Sequence, residues 1–135
     1  MHDSHACIKS KIFNMNSKLT LVLGASENPA RYSYLAVNRL QQQQHPVVAI
    51  GRKPGMIGTT PVQTGLPALE GVDTVTLYLN PELQKQYYDY IVSLHPRRII
   101  FNPGTENEEL YNIAKNNNII PQEACTLVLL ASGQY

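Results

Sequence analysis

The chain has 135 residues, 43% of them apolar and 16% charged, with a formal net charge of +1. That length holds one domain with one core, which leaves no room for a cofactor domain plus a substrate domain. The small charge gives no bulk attraction to nucleic acid or to an anionic membrane, so any basic site is local.

The N-terminal stretch, Met1 to Ser17, is polar and carries His2, His5, Lys9 and Lys11 without strand or helix periodicity. It lacks the apolar middle of a secretory signal, and no run in the chain approaches the ~20 apolar residues that span a bilayer. A cytoplasmic protein is expected. Residues 1–17 are assigned to a disordered extension, in which Met15 would serve as a natural start, and residues 18–135 to the domain. Cys7 and Cys125 lie in the extension and near the end, so no structural disulfide is expected. His2, His5 and Cys7 are close in sequence, but without preset geometry they read as a mobile tail, and no metal site is assigned.

The first strand is Leu19-Thr20-Leu21-Val22-Leu23, ending at Gly24-Ala25-Ser26. A helix is predicted from about Ser33, a suitable N-cap, to Gln43, with Leu35, Ala36, Val37 and Leu40 apolar. The second strand, Pro46 to Ile50, ends at Gly51. Arg52 to Gly71 is rich in glycine and proline and reads as loop, with one short extended piece at Thr60–Gln63. A third strand spans Asp73 to Leu79. The next helix, about Glu82 to Leu94, sets Leu83, Tyr87, Tyr90, Ile91 and Leu94 on one face. The fourth strand is Arg98 to Phe101. Asn102-Pro103-Gly104-Thr105 follows, then a helix from about Glu106 to Asn116. Ile119 and Ile120 open a short fifth strand, and Leu127–Ala131 is apolar and undecided between strand and helix.

Alternating strands and helices predict an α/β fold: a Rossmann-like, doubly wound parallel sheet of about five strands in the order 3-2-1-4-5. Ligands of such sheets bind beyond the carboxyl ends of the strands at the switch point, here expected between strands one and four. The loops after strands one, three and four meet there. Their Gly, Pro and Asn content suits loops held close to a ligand, but composition alone favours ordinary turns.

A strand that breaks at glycine and restarts as a helix leaves backbone N–H groups aimed at one spot, where the helix dipole favours a phosphate. The dinucleotide fingerprint G-x-G-x-x-G is only partly met by Gly24-Ala25-Ser26-Glu27-Asn28-Pro29. One glycine is present, and Pro29 removes an N–H, so NAD fits poorly. Ser26 adds a hydroxyl. The second strand ends in Gly51-Arg52-Lys53, two cations where NAD enzymes place an acid for the ribose. Such cations suit a phosphorylated ribose, as in NADP or coenzyme A (CoA), with Arg31 a third cation near the pyrophosphate. A solvated basic turn is the alternative reading.

A catalytic set is not evident. Asp73 opens a strand at the wrong end of the sheet. Glu106, Glu108 and Glu109 read as first-turn helix acids. Tyr87 and Tyr90 read as core, and Tyr88 as surface or an oligomer contact. His45 and His95 each precede a proline and read as exposed turn residues. Cys125 lacks an obvious base and reads as a small buried residue.

Taken together these motifs resemble the small single-domain CoA-binding proteins, relatives of the N-terminal CoA-binding domain of the succinyl-CoA synthetase α subunit. The likeness runs from Lys18 to Tyr135. It rests on Leu23-Gly24-Ala25-Ser26 with Asn28-Pro29 and Arg31-Tyr32-Ser33-Tyr34, on Ile50-Gly51-Arg52-Lys53, on Leu77-Tyr78-Leu79-Asn80-Pro81, and on Phe101 to Asn107 followed by Glu123-Ala124-Cys125. The resemblance implies that Gly24, Ala25 and Ser26 hold the pyrophosphate, with Asn28, Arg31, Ser33 and Tyr34 nearby. Gly51, Arg52 and Lys53 would face the ribose phosphate or the adenine side. Asn80, Pro81, Asn102, Pro103, Gly104 and Thr105 would line the crevice. The synthetase's catalytic histidine lies in a second domain, so ligase activity is not expected of this chain. The expected function is binding of CoA or acyl-CoA without catalysis. An NADP-binding or acyl-CoA enzyme component completed by a partner chain, and an interaction module with a vestigial site, are the alternatives. The expected partner is a small nucleotide ligand, with no nucleic acid or membrane, and a homo-oligomer is left open.

Overall fold

The computed structural model describes residues 16–135. The expectations for residues 1–15 of the extension, and for His2, His5 and Cys7 within them, lie outside the described residues. The chain runs β1 (Thr20–Leu23), α1 (Tyr32–Gln42), β2 (Val47–Ile50), β3 (Gly55–Ile57), β4 (Thr60–Gln63) and β5 (Thr74–Leu77). It continues through α2 (Pro81–Gln84), a 3-10 turn (Lys85–Tyr87), α3 (Tyr88–Leu94), β6 (Arg98–Phe101), α4 (Glu108–Asn116), β7 (Ile120–Glu123) and α5 (Thr126–Ala131).

The strands form one sheet in the order β3-β4-β2-β1-β5-β6-β7. Every neighbouring pair is parallel except the β3–β4 hairpin. The doubly wound α/β fold is as expected, but the sheet has seven strands where about five were predicted. Both additions come from the Gly/Pro-rich stretch: β4 matches the short extended piece expected at Thr60–Gln63, and β3 lies where loop was expected. Gly58, at φ +58°, makes the tight turn between β3 and β4. Strand β4 takes the place beside β2 that the predicted order gave to the strand at Asp73–Leu79. That strand, β5, instead pairs with β1 on its other side. The switch point therefore lies between β1 and β5, the third strand of the sequence reading and not the fourth.

Burial explains the layering. Strands β1, β5 and β6 are buried on both faces, as central parallel strands are. Leu21, Leu23, Val75, Leu77, Ile99 and Phe101 point to one face and pack with Ile91 of α3 and Leu110 and Ala114 of α4. Val22 and Ala49 point to the other and pack with Val37 and Leu40 of α1 and Leu130 of α5. At the β7 edge, Ile120 and Ala124 donate their N–H groups inward, to Arg97 and Phe101. In the alternation of a parallel strand, Pro121 then sits where an N–H would face outward. A proline there denies the edge to another strand.

Several boundaries moved for local reasons. Helix α1 starts at Tyr32 with Arg31 as N-cap, so Ser33 is a buried residue of the first turn and not the cap. The predicted 82–94 helix is broken by the 3-10 turn. Glu106 lies outside α4, whose N-cap is Asn107, accepting from the N–H groups of Glu109 and Leu110. Thr126–Ala131 settles as helix.

His45 departs from its reading as an exposed turn residue. Its Nδ1 accepts the Lys18 N–H at 2.9 Å, and its ring centroid lies 4.8 Å from that of Tyr135. Burial, then the Lys18 and Arg98 charges, lower its pKa from 6.5, opposed by Asp73. A histidine depressed in the folded state is protonated first in the unfolded chain. Its contribution to stability is complete above pH 6.5 and falls as pH drops below that value. Denaturant midpoints at pH 7.5 and 5.5 are expected to show this loss. His45→Asn, which keeps an acceptor for Lys18 but cannot titrate, is expected to flatten the profile over that interval. Asp73 acts lower on the pH scale. Burial raises its pKa, but hydrogen bonds from Thr74 and Arg97 and the charges of Arg97 and Arg98 outweigh it, for a net lowering from 3.8.

Candidate functional site

Strands β1, β2, β5 and β6 run in parallel, so the loops after Leu23, Ile50, Leu77 and Phe101 share one end of the sheet. They enclose an open crevice of about 1040 Å³. That size suits an extended cofactor.

The loops are pressed together by backbone contacts. The N–H groups of Gly24 and Ala25 both donate to the Ile50 carbonyl, at 2.9 and 3.0 Å, folding the first loop toward β2. Gly24 sits at φ +93°, and a Cβ there would lie 2.8 Å from the Tyr78 carbonyl carbon. A Cβ on Gly51 would lie 2.2 Å from the Ala25 carbonyl oxygen. The first loop is shaped further by its own side chains. Ser26 Oγ accepts the Asn28 N–H at 3.1 Å, and Asn28 Oδ1 accepts the Ala30 N–H at 3.0 Å. Ser26 keeps its hydroxyl proton for another acceptor.

Helix α1 opens into the crevice without a side-chain cap and without an acid in its first turn. Both absences leave its positive end uncompensated. Arg31, Arg52 and Lys53 line the same space, all exposed. One carboxylate, Glu27, also lies there, and its Oε1 accepts the Met56 N–H at 3.2 Å, tying the loop to the β3 edge.

The far wall is built by β5 and β6. Gln84, fully buried, donates to the Leu79 and Thr105 carbonyls at 2.8 and 2.9 Å and accepts from Asn107 at 2.8 Å. One amide thus ties together two loops and the start of α4. Asn80 caps α2 by accepting the Leu83 N–H. Beneath the wall, Asn102 donates to Thr76 Oγ1 and the Leu77 carbonyl and accepts the Thr126 N–H. Thr105 Oγ1 donates to the Asn102 carbonyl at 2.7 Å.

The crevice therefore brings together Gly24, Ala25, Ser26, Asn28, Arg31, Ser33, Arg52, Lys53, Asn80, Pro103, Gly104 and Thr105. Four other candidates fall outside its lining. Tyr34 packs against the core beside Val22 and Val37. Gly51 is buried under Ala25. Pro81 is the first residue of α2. Asn102 has both amide ends engaged within the fold, so it supports the wall from behind. Sequence reasoning missed Glu27, Tyr32, Tyr78 and Leu79 as lining. The Tyr78 hydroxyl is buried with no hydrogen-bond partner, and burial raises its pKa, so it stays neutral. Tyr88, read as surface, is half-buried, donating to Glu109 and accepting from Asn107. Cys125 is a free thiol at the N-cap of α5 and is absent from the lining. No cluster of three or more metal-ligating side chains occurs among the described residues, and none of their helices is long and apolar enough to cross a membrane.

Solved structures share this architecture. An uncharacterized protein is 50% identical, with a TM-score of 0.86, over 88% of this chain and 98% of that one. A cell-free protein from Thermus thermophilus is 18% identical, with a TM-score of 0.77, over 94% of this chain and 97% of that one. A hypothetical protein from Pyrococcus horikoshii is 18% identical, with a TM-score of 0.76, over 87% of this chain and 84% of that one. The two low-identity likenesses show the fold alone. No curated protein matches the chain. The CoA binding domain family matches residues 18–131, a span that contains every loop of the crevice, and the chain belongs to that family.

Proposed function

We propose that the crevice binds CoA or an acyl-CoA and that the chain performs no chemistry on it alone. The observation that carries this reading is the convergence of an uncapped helix start with Arg31, Arg52 and Lys53 on one open space. Phosphate groups are the ligand for such a set. Family membership supports CoA as the phosphate-bearing ligand. Leu79 and Pro103 on the opposite wall offer apolar surface to a pantetheine arm. The lining holds no histidine or cysteine. Its one carboxylate is tied to Met56, and Tyr78 is held neutral, which leaves no poised base or nucleophile.

Thermal denaturation with CoA, dephospho-CoA, NADP and NAD tests the proposal. CoA at 100 times its dissociation constant is expected to add ~2.7 kcal/mol of stability. Dephospho-CoA is expected to shift the melt less at equal concentration. A melt unmoved by CoA and acetyl-CoA at millimolar concentration would overturn the reading and favour a vestigial crevice.

A further inference from the structure

The chain has eight tyrosines, and seven of them pack against one or other core cluster. Tyr32 is the exception. It is 71% exposed, and it lines the same crevice as Arg31, Arg52, Lys53 and Pro54. It is the first residue of α1. In a helix each Cα–Cβ bond tilts toward the N-terminus, which here is the end that opens into the crevice. Helix packing through Val37 and Leu40 fixes the backbone that carries the ring. The result is a broad planar side chain left uncovered on a rigid element, among cations.

We propose that Tyr32 is the base-recognition residue of this crevice, its ring stacking on the purine of the ligand. The cations of the crevice hold phosphates but offer no flat face to a base. A flat π-face can favour a planar heterocycle over a ligand without one. The inference rests on the crevice taking a nucleotide-containing cofactor. It adds where the base lies and which side chain reads it. Leu35, one turn along α1 and 42% exposed, gives the same helix side a competing use as a contact between copies.

The test uses the full chain as wild type, Tyr32→Ala and Tyr32→Phe. Because the ring is exposed, neither substitution is expected to alter the melting temperature of the ligand-free protein. Calorimetric titration with CoA is expected to show about tenfold weaker binding for Tyr32→Ala and near-wild-type binding for Tyr32→Phe. Etheno-CoA, whose modified adenine is fluorescent, supplies a second readout. Its emission is expected to be quenched when bound to wild type and Tyr32→Phe and to recover when bound to Tyr32→Ala. Wild-type binding of CoA with unchanged affinity and equal quenching in Tyr32→Ala overturns the stacking alone. Failure of wild type to bind CoA overturns the crevice reading with it. A change of sedimentation mass in Tyr32→Ala without a change in quenching assigns the ring to an oligomer contact and also overturns the stacking.

Discussion

Gly51→Ala is expected to destabilise the protein by about 3 kcal/mol or more, at the upper end of what one methyl group does. The new Cβ would sit 2.2 Å from the Ala25 carbonyl oxygen and 3.0 Å from Val62 Cγ1. Neither neighbour can yield cheaply. Ala25 is held by its N–H to the Ile50 carbonyl, and the Gly51 N–H is itself bound to Gln63 at 2.9 Å. The backbone of one loop must move, and both loops line the site. Affinity for CoA is therefore expected to fall in whatever fraction remains folded. Gly104→Ala is the comparison. It has open space around its Cβ but φ +91°, so only backbone strain of about 1–2 kcal/mol is expected. Denaturant titration separates the two. If Gly51→Ala is no less stable than Gly104→Ala, the loops after β1 and β2 are not pressed together as described.

This contact also shows what the sequence disclosed and what it hid. Gly24 announces itself, because an apolar run ending in glycine before a helix is a local signal. Gly51 reads the same way at the end of β2, yet its reason is a carbonyl twenty-six positions back in the chain, which no local pattern encodes. The β3–β4 hairpin was half hidden for a related reason: the extended piece at Thr60–Gln63 was legible, but β3 and the place of β4 in the sheet were not. Gly55, Gly58 and Pro61 are loop signals in isolation. Only pairing of β4 with β2 turns Thr60–Gln63 into strand, with Thr60 and Val62 buried and the alternate residues out. Once that strand takes the outer place, β5 is displaced to the other side of β1, and the predicted strand numbering shifts with it. That the candidate loop residues share one crevice was legible because parallel strands deliver their loops to one end whatever the lateral order. Asn102 turns from the crevice because its amide is engaged by Thr76 and Thr126, which lie far off in sequence, and Tyr34 because helix α1 presents it to the core cluster of Val22 and Val37. Tyr32 was not read as lining because exposure is a tertiary property, and the other seven tyrosines pack against a core cluster.

The joint replacement Arg52→Ala and Lys53→Ala is expected to separate the phosphates of the ligand from one another. These two cations follow β2, while Arg31 and the open end of α1 follow β1. A single pyrophosphate can satisfy the helix end, so cations one strand away need a second anionic group. CoA carries one on its 3′-ribose position, and dephospho-CoA does not. Charge-assisted hydrogen bonds contribute roughly 1.5–3 kcal/mol each, and exposed side chains fall at the low end. The double variant is then expected to lose on the order of a hundredfold in CoA affinity and only a few-fold for dephospho-CoA. Raising the salt concentration should narrow the gap between the two ligands in wild type, because exposed charges are screened, and should leave the small gap of the double variant nearly unchanged. Stability of the ligand-free protein is expected to hold or rise slightly, since neither side chain forms an ion pair among the described residues. Equal losses for both ligands would mean that Arg52 and Lys53 serve the pyrophosphate. The extra phosphate would then have to be held elsewhere, with Arg31 the next cation to replace.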